Sequence, residues 1–164
     1  MHITFNQALV FLVPVLPLAL WIAWSDMKYM RITNKAVMVL AVAFLVTAPA
    51  VLPFDVFLWR LVQVAVILLV GFIANALGLI GGGDAKYAAV MAGFFDARDF
   101  RSILLLFVVM LVAALILHRS ARRSDFMRSL TPDWKSWTAG QEFPMGLALS
   151  GTILVYLFAG LFAA

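Results

Sequence analysis

The sequence contains no cysteine, which excludes disulfides, a thiolate nucleophile and any cysteine-based zinc site. Histidine is scarce as well. His2 and His118 are too few and too scattered to build a metal cluster, so neither metal nor cofactor is expected. Charge is the third shortage: 12% of the 164 residues are Asp, Glu, Lys or Arg, against about 25% in ordinary globular chains, while 65% are apolar. That balance excludes a soluble domain and implies an all-α, polytopic membrane protein. No repeat or low-complexity tract divides the chain, and residues 1–164 read as a single integral-membrane domain.

Apolar runs occupy 8–24, 36–52, 57–80, 85–95, 103–117 and 145–162, giving about six expected transmembrane helices. The first run has no basic segment before it and no small-residue cleavage site after it, so it reads as a retained span kinked at Pro14 and Pro17. Gln63 and Asn75 lie within the third and are expected to make interhelical hydrogen bonds. The fourth run is only 11 residues long, where a normal span needs about 20. It must tilt or begin inside the protein, where irregular backbone is tolerated if protein or water surrounds it.

The net charge of +4 raises the question of nucleic acid, but the cations lie between apolar spans. With six spans and the N-terminus outside, Lys28, Arg31, Lys35, Lys86, Arg119, Arg122, Arg123, Arg128 and Lys135 fall inside, and only Arg60, Arg98 and Arg101 outside. This asymmetry is what orients membrane proteins, so no nucleic-acid partner is expected. Segment 118–143 reads as a cytoplasmic loop mixing arginines with Phe126, Trp134 and Trp137. It suits either a strip lying on anionic lipid or a solvated connector.

Charged residues are informative against this background. Gly81-Gly82-Gly83-Asp84-Ala85-Lys86 separates the third and fourth runs. Three glycines permit positive φ and close backbone approach, and Asp84 falls at the start of a helix, where backbone N–H groups favour a carboxylate. A second carboxylate, Asp26, follows the first span on the same side of the membrane. Two carboxylates sharing a site cannot both ionise cheaply: one keeps a proton while the other acts as a base. Such a pair can activate water and protonate a peptide carbonyl without metal or covalent nucleophile. The bland alternatives are that Asp26 pairs with Lys28 or Arg31 and that Asp84 only caps its helix.

Asp26 followed by Arg31-Ile32-Thr33-Asn34 resembles the first aspartate motif of the type IV prepilin peptidases. Gly81-Gly82-Gly83-Asp84-Ala85-Lys86 resembles their second, and Phe143-Pro144-Met145-Gly146-Leu147-Ala148, with Gly151, is similar to the segment opening their last helix. The resemblance implies six transmembrane helices, the fourth short and starting at the glycine run. It also implies cleavage of short basic leaders from pilin-like precursors at the cytoplasmic face of the bacterial inner membrane. Asp26 and Asp84 would be the catalytic pair. Lys86 would tune Asp84, Gly81, Gly82 and Gly83 would admit the scissile backbone, and Arg31, Asn34, Pro144 and Gly146 would position the site.

Two departures accompany the resemblance. Members that also methylate the new N-terminus carry a segment with paired cysteines, which this sequence lacks, so it is most similar to the small peptidases of tight-adherence pilus systems and methylation is not expected. Thr33 stands where many relatives have proline. Two other classes fit a carboxylate-bearing membrane protein: a proton-coupled transporter or channel subunit, and a non-catalytic component of a pilus or secretion assembly.

Overall fold

The computed structural model describes residues 1–140 and 142–162. Among these, regular structure is helical throughout: α1 (Phe5–Tyr29), α2 (Asn34–Val51), α3 (Phe54–Ala76), α4 (Gly82–Ala92), α5 (Phe100–Arg123), α6 (Asp125–Leu130) and α7 (Met145–Gly160). Single 3₁₀ turns occur at Ala97–Asp99 and Lys135–Trp137. Helices α1, α2, α3 and α5 are long and apolar enough to cross a membrane, and α7 is apolar but shorter. The chain is a polytopic membrane protein.

Helix ends depart from hydropathy in two places that matter. Helix α1 continues past the apolar run, so Asp26 lies in its last turns and not in the connector. Segment 118–143 is likewise not loop throughout. Helix α5 carries His118 to Arg123 on its final turns, and α6 follows once the Ser124 hydroxyl caps it by accepting from Met127 N–H at 3.4 Å. Hydropathy falls at Arg119, but the backbone hydrogen-bond ladder does not.

The core forms where α1 packs on α7 and α2, and where α4 packs on α3, α2 and α7; α5 packs on α7. Phe94 sits edge-on between Phe11 and Phe44, both ring centroids 5.2 Å away. Such aromatic geometry contributes beyond simple burial.

Helix α4 can be short because it is enclosed. Tyr87, Ala89 and Phe94 are fully buried, and the chain turns immediately after it inside the protein, through buried Gly93 to Asp96. Unpaired carbonyls at such a helix end would each cost several kcal/mol in hydrocarbon. Gln63 of α3 relieves this, donating from Nε2 to the carbonyls of Ala92 at 2.8 Å and Phe95 at 3.4 Å. Gln63 is thus interhelical as expected, whereas Asn75 makes a local bond, from Nδ2 to the Ile80 carbonyl at 2.8 Å.

A polar cluster closes the end of the bundle beyond that turn. Asp96 accepts from buried Arg60 at 3.0 Å and from Arg98 at 2.9 and 3.1 Å. Burial pushes the Asp96 carboxyl up, but hydrogen bonds from Arg98 and the charges of Arg60 and Arg98 outweigh it and hold the group below the usual range. Asp99 accepts from the Tyr156 hydroxyl at 2.9 Å and from the His2 backbone N–H at 2.8 Å.

Helix α3 approaches α4 closely at Gly71, where a Cβ would stand 3.0 Å from Ala85 Cβ and 3.3 Å from its Cα. Backbone cannot yield as a side-chain tip can. Gly71→Leu is expected to lower unfolding stability by about 1–3 kcal/mol through overpacking, read as a drop in thermal midpoint in detergent; an unchanged midpoint would show that α3 does not press on α4 there.

Candidate functional site

The end of the bundle opposite the Arg60–Asp96 cluster collects the C-terminus of α1 and the N-termini of α2, α4 and α7. Helix α1 stops at Met30, whose φ of 52° is left-handed and whose N–H donates to the Asp26 carbonyl at 2.8 Å. The Ser25 hydroxyl then donates to the Arg31 carbonyl at 3.1 Å, folding the connector back. Ile32 is buried in that connector, and the Thr33 hydroxyl caps α2 by accepting from Ala36 N–H at 3.3 Å. The position that departs from proline therefore has its own structural use.

Asp84 occupies the third position of α4, after Gly82 and Gly83. None of the three glycines adopts positive φ; that conformation falls to Met30, Gly78 and Gly140 among the described residues. The run begins a right-handed helix, so its value lies in absent side chains. A Cβ on Gly81 would stand 2.6 Å from Asp84 Oδ2, and one on Gly83 would stand 3.2 Å from Ile32 Cβ. Gly82 has only ordinary spacing, 3.6 Å from the Asn75 amide.

Asp26 is buried, at 5% exposure, and points at the start of α7: its Oδ2 accepts from Gly146 N–H at 2.7 Å. Pro144 precedes that helix and makes no side-chain cap. The carboxylate from α1 thus satisfies one of the free N–H groups at the positive end of α7. Asp84 stands at the positive end of α4 in the same way. Neither aspartate is taken up by the cations beside it in sequence, for Lys28 pairs with Asp133 at 2.7 Å. That hydrogen bond holds the exposed Asp133 carboxyl below its usual range.

Both carboxylates line one cleft. Its larger branch, about 610 Å³, is walled by Met30, Leu79, Ile80, Glu142, Phe143 and Met145 as well as the aspartates. Its second branch, about 370 Å³, again holds both and runs past Arg31, Asn34, Gly81, Gly82, Gly83 and Lys86. Lys86 Nζ donates to Asn34 Oδ1 at 3.1 Å, joining α4 to α2. All ten residues singled out in the sequence therefore meet at this end, with Gly146 against Asp26 and Pro144 just before it. Among the described residues no group of His, Asp or Glu has the arrangement of a metal site.

Several residues at the cleft carry no strong sequence signal. Ile32 seats the connector against Gly83, and Met30 lines both branches. The wall carrying Glu142 and Phe143 is anchored by a ring stack: His118 lies 5.5 Å from Trp137, which lies 5.6 Å from Trp134, and Phe143 meets His118 edge-on at 5.7 Å. The spacing of Trp134 and Trp137 on a polar segment was the available hint. Behind Asp84, the Tyr87 hydroxyl and Ser150 Oγ lie 3.0 Å apart, fixing α4 to α7 in the buried interior.

The profile of the type IV leader peptidase family matches residues 13–118, a stretch that contains both aspartates and the glycine run but ends before Gly146. No curated protein and no solved structure matches the chain.

Proposed function

Because the chain belongs to the type IV leader peptidase family, we propose that it is a membrane-embedded aspartic endopeptidase that removes the short basic leader from pilin-like precursors. The observation that carries this reading is the pair of aspartates, delivered by α1 and α4 into one cleft beside two helix N-termini. One carboxyl holds a proton and the other is ionised. The ionised group takes a proton from water, the resulting nucleophile attacks the scissile carbonyl, and the protonated group hydrogen-bonds the carbonyl oxygen as charge builds there. Collapse of the tetrahedral intermediate passes a proton to the leaving amine. Gly81 leaves room for the Asp84 carboxylate and Gly83 for Ile32 of the connector, while the Gly146 N–H positions Asp26.

Location supports the same substrate. Lys28, Arg31, Lys35 and Lys86 stand at the cleft end, together with the arginine-rich end of α5. By the positive-inside tendency that end is cytoplasmic, in the bacterial inner membrane, with the N-terminus outside. A precursor with a basic leader and an apolar helix would keep its leader in the cytoplasm and present its cut site at that interface. The proposal covers leader removal without methylation, from precursors of the small tight-adherence type.

The test is cleavage by purified protein in detergent, using several such precursors. Loss of the leader, with the cut mapped by mass spectrometry, is the expected result. A folded protein that leaves every precursor whole, yet couples proton uptake to solute flux in liposomes, would replace the peptidase with a transporter.

A further inference from the structure

A second concavity lies on the flank of the bundle between α3 and α5, floored by α4 and α7. Its walls include Ile67, Ala88, Met91, Leu104, Phe107 and Leu149, and its volume is about 220 Å³. Lipid covers every apolar face of a membrane protein, so apolarity alone decides nothing here. Alignment with the cleft does. Asp84, Ala88 and Met91 follow one another at i, i+4 and i+7 and share one face of α4. Met145, which lines the cleft, shares a face of α7 with Leu149 and Thr152 at the same spacing. Both helices that start at the cleft therefore continue the same faces into the groove. Met91 lies roughly 10 Å further along the axis than Asp84 at 1.5 Å per residue.

We propose that this groove seats the apolar helix of the substrate, so that the peptide bond joining helix to leader is delivered to Asp26 and Asp84. The inference rests on the leader-peptidase reading and specifies how that substrate is held. The volume suits the side chains of one helix face, not a whole helix, which would lie across the groove with its far side in lipid. Helices associate in lipid through close packing over small residues and not through hydrophobic transfer. Ala88 and Thr152 supply such a floor. Met91 adds an adaptable thioether that accommodates different partners. Gln63, at the groove's edge, already has its amide committed to the Ala92 carbonyl, so the wall presents little unsatisfied polarity to an apolar helix.

The experiment fills the groove from α5, away from both carboxylates. Wild type, Leu104→Trp and, as a control on the lipid face of α2, Val39→Trp are assayed on a full precursor and on a short peptide that spans the cut site but lacks the apolar helix. The expected result is a KM for the precursor raised roughly tenfold in Leu104→Trp, with kcat retained, no comparable change for the peptide, and neither effect in Val39→Trp. Because the protein has no cysteine, Leu104→Cys also provides a unique thiol, expected to crosslink a cysteine placed in the precursor helix while Val39→Cys does not. Wild-type cleavage of both substrates combined with an unchanged precursor KM in Leu104→Trp, or equal crosslinking at 39 and 104, would overturn the groove and leave the peptidase standing. Failure of wild type on both substrates would overturn the peptidase reading and the groove with it.

Discussion

Asp84→Asn and Asp26→Asn are each expected to lower kcat for leader cleavage by roughly 10³-fold, the middle of the range for one acid–base group, while the protein still inserts and folds. The physical case lies in what asparagine keeps and what it removes. It has the same shape, and its carbonyl oxygen can still accept from Gly146 N–H at position 26 or lie against Gly81 at position 84. Neither helix end loses its neighbour. What disappears is the ability to take or give a proton, on which, in the proposed mechanism, both the attack of water and the protonation of the carbonyl depend. The two losses are also expected not to multiply: Asp26→Asn/Asp84→Asn should be little worse than either single change, since groups that act as a unit are strongly non-additive. The measurement is precursor cleavage under single-turnover conditions beside thermal unfolding in the same detergent. A single variant with near wild-type kcat and an unchanged melting profile would remove that aspartate from the chemistry.

Those aspartates were legible for a physical reason. In a chain with so little charge, a carboxylate next to an apolar run is costly and stands out, and a glycine run beside one stands out further. The short fourth helix was legible too, because a run of 11 residues cannot cross hydrocarbon by itself. The use of the glycines was not. Glycine permits both left-handed backbone and close approach, and only the fold shows that Gly81 and Gly83 serve approach while the left-handed positions fall to Met30 and Gly78.

Contacts across long stretches of chain were hidden for a related reason. Lys28 has charged neighbours a few residues away, yet its partner is Asp133, brought over α1 by a segment that hydropathy reads only as polar. Arg31 contributes a backbone carbonyl to the connector, and the residue that wedges there is Ile32, indistinguishable in sequence from any core isoleucine. The length of α5 was misjudged because hydropathy reports where lipid ends and says nothing about where a helix ends.

Gly146 offers the sharpest test of how the site is positioned, because Asp26 lies 120 residues away from it in sequence and the two touch. A Cβ built on Gly146 would stand 2.9 Å from Asp26 Oδ2, 3.0 Å from its Cβ and 3.2 Å from its Cγ. The carboxyl group can swing aside, but the Asp26 Cβ is fixed to the α1 backbone. Part of the misfit therefore falls on the packing of α1 against α7 as a shift of the two helices, which the fold should survive at a modest cost in stability. The 2.7 Å bond from Gly146 N–H cannot survive unchanged, and Asp26 must move by an amount comparable to the missing space. A displacement near 1 Å of a reacting group costs about 10²-fold in rate, so Gly146→Ala is expected to lose activity on that scale, mainly in kcat, with a melting temperature lowered but a protein still folded at the assay temperature. Gly151→Ala, further along the same helix, is the matching control: there the added Cβ meets the Met110 sulfur at 3.1 Å, a flexible thioether that can step back. Full activity in Gly146→Ala would mean that Asp26 works without its seat on α7. Loss in Gly146→Ala but not in Gly151→Ala would make the start of α7 the third component of the site, supplying no acid or base but holding the one that α1 supplies.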